Sequence, residues 1–214
     1  MKTLQRFFTS LIAILTILPL YATVSGNGYY TRQISSDGTT AKLYCTKLSN
    51  GNLQLTGIAF TNKPANGVTI TIPEKIDEMI IEVIGNDITT GTVNKSVQTH
   101  MIDWVNRPDS YKLSLPGTAS KILTFAFSEQ ETDINGVDNN TSLTEITIRT
   151  AATSQLTIEA FAFYKSKNLS TITFEDNSVK TIGYFGFGVV PSQKYQLSQK
   201  VSKPLKAMLL TISA

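Results

Sequence analysis

Short runs in which apolar and polar residues alternate recur along the second two thirds of the chain. They are Val68-Thr-Ile70-Thr-Ile72, Tyr111-Lys-Leu113-Ser-Leu115, Leu143-Thr-Glu-Ile146-Thr-Ile148 and Leu169-Ser-Thr-Ile172-Thr-Phe174. A period of two places one set of side chains on each face of a strand, so each run predicts a strand with one buried face. After a turn, each run is followed by a second, apolar or aromatic element: Val83-Ile84-Gly85, Ile122-Leu123-Thr-Phe125-Ala-Phe127, Leu156-Thr-Ile158-Glu-Ala-Phe161-Ala-Phe163, and Lys180-Thr-Ile182-Gly-Tyr-Phe185-Gly-Phe187. No helical spacing of charges follows the first twenty residues, and Thr, Ser and Asn fill the polar positions. Those residue types suit half-buried pleated surfaces and turns, so the fold expected is mainly β.

The last two units are copies of each other. The strand run returns after 26 residues and the aromatic element after 24. Periods in the twenties belong to stacked coils, in which one unit cannot cover its own apolar face and must lie against the next. Two hairpins of a sandwich would also alternate with period two, but they give no reason for the aromatic element to recur at a matching offset. The pattern resembles the BspA-like leucine-rich repeat, whose consensus is similar to L-x-x-I-x-I-P followed by I-G-x-x-A-F. Thr71-Ile72-Pro73-Glu74-Lys75-Ile76-Asp77 and Glu82-Val83-Ile84-Gly85 carry its first unit, and Ile158-Glu-Ala160-Phe161 and Ile182-Gly183 the later ones.

The resemblance spans residues 66–190, interrupted by polar insertions at 86–110 and 129–141. It implies a short right-handed leucine-rich-repeat solenoid. Residues 23–65 then form a β-rich N-terminal lead-in or cap, and residues 191–214 a C-terminal cap or truncated tail.

Residues 1–22 read as a signal peptide. Lys2 and Arg6 precede an apolar stretch from Phe7 to Leu20, and Leu20-Tyr21-Ala22 offers a cleavage position. The run is shorter than the roughly 20 residues of a membrane-spanning helix. The chain is therefore expected to be secreted or held at the cell surface, with no transmembrane segment after leader removal. Without Lys2 and Arg6 the chain has 17 basic against 16 acidic residues, which gives no electrostatic reason to bind nucleic acid. The single cysteine, Cys45, cannot form an internal disulfide and is expected to be buried.

Catalytic constellations are sparse. His100 is the only imidazole, and no G-x-S-x-G is present. Glu74, Glu78, Glu82, Asp87 and Asp103 have no spacing that selects an acid–base pair. Asp133 to Asn140 hints at a calcium loop, but Val137 occupies a ligand position and no Glu closes it, so an ordinary turn is expected. Trp104 is expected to pin the long insertion, or, if exposed, to anchor a partner. The sequons at Asn94, Asn139, Asn140 and Asn168 matter only in a eukaryotic secretory route.

These readings lead to a non-enzymatic protein with no cofactor and no metal. The outward positions of the strand runs, Thr69, Thr71, Lys112, Ser114, Thr147, Arg149, Thr173 and Glu175, are the candidate binding surface. Thr147, Arg149, Thr173 and Glu175 lead among them. The partner expected is a protein or glycan at the cell surface, in keeping with the adhesion role that the resemblance implies. The alternative is a structural or scaffolding repeat module of a cell-envelope assembly.

Overall fold

A computed structural model describes residues 27–86, 101–103, 105–128, 142–150, 155–175 and 178–188. The expected leader, His100, Trp104, Asp87, the stretch from Asp133 to Asn140 and the tail after residue 190 lie outside them. The described residues are mainly β, with no helix among them, in sheets that mix parallel and antiparallel pairing.

The first three strands are β1 (Asn27–Gln33), β2 (Thr40–Lys47) and β3 (Leu53–Phe60), an antiparallel meander. From there the pairing becomes parallel, because the chain begins to alternate between two ladders. One ladder receives β4 (Val68–Thr71), β7 (Tyr111–Leu115), β9 (Leu143–Ile148) and β11 (Thr171–Phe174), all parallel. The other receives β6 (Met79–Ile84), β8 (Lys121–Ile122), β10 (Leu156–Ile158) and β12 (Val179–Ile182), also parallel to one another. A two-residue strand, β5 (Lys75–Ile76), forms a tight hairpin with β6.

Each pair of alternating runs therefore sends one strand to each ladder, and equivalent residues stack. Ile70, Leu113, Ile146 and Ile172 form one buried row of the four-stranded ladder. Ile84, Ile122, Ile158 and Ile182 form the matching row opposite. Each of these side chains contributes roughly 1.5–3 kcal/mol by leaving water. Beyond β8, β10 and β12 the chain turns sharply, and the turn recurs. Phe125, Phe161 and Phe185 sit at φ of 59°, 58° and 50°, a left-handed conformation that is costly for a bulky residue. Their rings stack at 5.2 and 5.9 Å. Phe127, Phe163 and Phe187, two residues further on, stack inside at 5.1 and 4.9 Å. Such ring pairs are worth about 0.5–1.5 kcal/mol beyond area burial.

The antiparallel meander covers the first edge of both ladders, which would otherwise offer unpaired backbone groups. β3 pairs with β6, while Ser35 bridges Ile70 of β4. Asp37 pins this junction by accepting from the amides of Ala65 (2.7 Å) and Thr39 (3.0 Å), and these bonds hold its carboxyl well below the usual carboxylate range. The end of the long insertion returns to the same region. Met101 and Ile102 are buried, and Ile102 bridges Ile58 in parallel.

Candidate functional site

The outward positions of the four-stranded ladder fall into two rows because the parallel register is kept from strand to strand. Thr71, Ser114, Thr147 and Thr173 align in one row, and Thr69, Lys112, Glu145 and Thr171 in the other. Adjacent strands lie about 4.8 Å apart, so the first row is an evenly spaced line of four hydroxyls. Among the described residues these hydroxyls make no hydrogen bond within the chain. Each remains both donor and acceptor. The second row is partly occupied internally, since Lys112 Nζ lies 2.8 Å from Glu145 Oε1. Glu145 and Thr171 were not among the residues nominated from the sequence. The signal was present, for each lies two positions before a nominated threonine.

Thr147 and Thr173 are thus brought together on one open face, but Arg149 and Glu175 are engaged differently. Arg149 Nε donates to the Leu115 carbonyl at 2.9 Å and Nη2 to the Ile72 carbonyl at 2.6 Å, while Nη1 lies 3.5 Å from Glu74. The reason is the residue before it in the stack. In this ladder the amide after each strand end meets the carbonyl of the previous coil, as Glu175 N does at Ile148 O (3.0 Å) and Arg149 N at Leu115 O (3.4 Å). At Ile72 the corresponding nitrogen belongs to Pro116, which has no hydrogen to give. The guanidinium supplies that missing donor and ties three coils together.

Glu175 Oε2 accepts from the Thr150 amide (2.8 Å) and hydroxyl (3.2 Å) of the coil before. Glu159 does the same for Thr124 on the other ladder, at 3.0 and 3.1 Å. The two carboxylates are equivalent clasps between coils.

Among the described residues the remaining carboxylate candidates are each engaged with separate partners. Glu74 pairs with Arg149, Glu78 lies 3.8 Å from Lys75, and Asp103 accepts from the Val105 amide. Glu82 accepts from Asn52 (2.6 Å) and Asn50 (2.7 Å), bonds that hold its carboxyl below the ordinary range. Cys45 is buried, and burial pushes its thiol up to about 12, so it is held as the neutral, weakly reactive thiol. Among the described residues no three His, Cys, Asp or Glu side chains come together to hold a metal ion. No helix among them is long and apolar enough to cross a membrane. No family model matches the chain, and no curated protein and no solved structure is significantly similar to it.

Proposed function

We propose that the chain is a short BspA-like leucine-rich-repeat solenoid, exported from the cell, that recognises a protein or glycan through the outer face of its four-stranded ladder and catalyses no reaction. One observation carries this reading: the row Thr71, Ser114, Thr147 and Thr173, whose hydroxyls stay unspent while the charged residues around them are used to hold coils together. Evenly spaced, short, uncharged hydrogen-bonding groups on a rigid sheet suit an extended polar ligand. They lose little side-chain entropy on binding. The repeat periods and the aromatic turn elements support the solenoid assignment, and the apolar run behind Lys2 and Arg6 supports export.

The test is an array of extracellular-matrix proteins and glycans probed with residues 23–214, beside a Thr147→Ala, Thr173→Ala variant of unchanged melting temperature. A saturable hit weakened by the double change supports the reading. Failure of the folded protein to bind, or a hit indifferent to the two threonines, removes the strand face as the recognition surface.

A further inference from the structure

We propose that the β4 end of this face holds a seat for one neutral sugar unit, so that a glycan is gripped by its end. The inference extends the strand-face reading and can be tested apart from it. After β1 the chain runs beside β4, with Ser36 N donating to Thr69 O at 2.9 Å and Thr71 N to Ile34 O at 2.7 Å. Between that segment and the end of β4 lies a cleft of about 320 Å³ lined by Arg32, Gln33, Ser36, Thr71 and Pro73, among others. Small-molecule pockets run from roughly 300 to 1,000 Å³, so this one has room for a single ring.

The lining chemistry selects what the ring carries. Arg32, the one charged side chain in the lining, is already matched by Asp77, to which its Nη2 donates, and its Nη1 donates to the Thr31 carbonyl. An anionic ligand would have to take Arg32 from Asp77 and sit beside the carboxylate left behind. A cationic one would face the guanidinium. Neutral hydroxyls meet neither penalty. The Gln33 amide offers both donors and an acceptor, the Thr71 hydroxyl offers one of each, and Ser36 Oγ, which accepts from Thr69 N at 3.0 Å, keeps its own proton to give. Sugar hydroxyls likewise donate and accept, and Pro73 presents an apolar wall to the C–H face of a ring.

The neighbouring backbone is held at a cost. Asp77 and Glu78, the two-residue turn between β5 and β6, have φ of 47° and 61°, although neither is glycine or asparagine. A two-residue hairpin of this kind requires positive φ at both central residues, and here the turn delivers Asp77 to Arg32. Thr71 belongs both to the cleft and to the hydroxyl row, so a glycan seated by its end continues over Ser114, Thr147 and Thr173.

The experiment uses residues 23–214 and neutral oligosaccharides ending in glucose, galactose, mannose or N-acetylglucosamine, with sialylated and sulfated glycans as the charged comparison. Binding is read by saturation-transfer NMR and titration. A neutral glycan should bind, and Gln33→Ala and Thr71→Val, each checked for an unchanged melt, should weaken it at least tenfold. Weakening by Gln33→Ala but not by Thr147→Ala, Thr173→Ala upholds the cleft and sinks the strand-face reading. The reverse pattern sinks the cleft alone. Binding restricted to charged glycans or to proteins, or no binding at all, overturns the proposal.

Discussion

The two ladders repeat with one rhythm yet treat their outer side chains in opposite ways. At the turns beyond β8, β10 and β12, two aromatic residues per coil stack on their counterparts, one set buried and one at the surface. On the outer face of β4, β7, β9 and β11 one of the two rows consists of small hydroxyls that make no hydrogen bond to one another. The aromatic corner spends its repetition on cohesion, whereas the strand face leaves its repetition available. Repetition in sequence therefore does not separate packing from recognition. What separates them is whether the repeated side chain is engaged with its counterpart on the next strand, as the stacked rings are, or keeps its donor and acceptor unused, as the hydroxyls do.

The sharpest break in that comparison comes at Phe163, fully buried between Phe127 and Phe187. Phe163→Ala should cost about 3–5 kcal/mol, in the range of large-to-small core changes. Urea denaturation followed by circular dichroism gives the value. Phe161→Ala, at the half-exposed position, should cost less. If the two cost the same, the buried and surface ring stacks are energetically equivalent, and the distinction drawn between them fails.

Arg149 stands between the two regimes, since it lies at the border of the open face but behaves as a clasp. Arg149→Ala leaves the Ile72 carbonyl without the donor that Pro116 lacks, a loss of roughly 1.5–3 kcal/mol for hydrogen bonds from a charged group. Arg149→Lys should recover part of it, since one ammonium cannot reach both carbonyls in the same fork. A Pro116→Ala, Arg149→Ala double variant sharpens the point. The restored amide at 116 should make the second change cheaper than it is in the wild-type chain. Full additivity in that cycle would exclude the compensation.

The β-rich fold and the paired elements of each unit were legible because alternation and aromatic recurrence are local signals, and the four long strand runs fall where β4, β7, β9 and β11 lie. The roles within the face were less so. Thr147 and Thr173 could be placed outward from period two alone. Arg149 and Glu175 have the same outward parity, but their engagement depends on a residue one or two coils away, Pro116 in one case and Thr150 in the other. The cleft beside Thr71 was illegible for the same reason. It is assembled from the segment at the end of β1 and from β4, which are more than thirty residues apart in the chain and meet through the Ser35–Ile70 bridge and the hydrogen bonds that flank it.

Strain offers a smaller test of whether the cleft is built for a purpose other than stability. Glu78 is almost fully exposed at 97% and holds φ of 61°. Glu78→Gly should raise stability by about 0.5–1 kcal/mol: the left-handed penalty of roughly 1–2 kcal/mol is relieved, and the freer unfolded chain takes part of it back. The exposed contact with Lys75 adds little to the balance. A thermal melt decides it, and a fall in stability would mean that the turn is not strained.

The smallest expected effect is the most informative. Thr147→Ala and Thr173→Ala should each move stability by no more than about 0.5 kcal/mol, as surface changes away from caps and ion pairs do. Each hydroxyl stands on a half-buried outward position of an interior or final strand, and its removal leaves no buried partner unsatisfied. Some loss is still expected from β-propensity, since alanine suits a pleated surface less well than threonine. That loss should be larger at Thr147, flanked by a strand on each side, than at Thr173 on the final strand, and the two should add to within about 0.5 kcal/mol in the double variant, because no hydrogen bond between the hydroxyls is lost. A coupling above about 0.5 kcal/mol would show that the row is held together after all, like the aromatic corner. Additive, near-neutral changes would leave the row with no part in folding, and the regular placement of its hydroxyls would then require an explanation outside the chain itself.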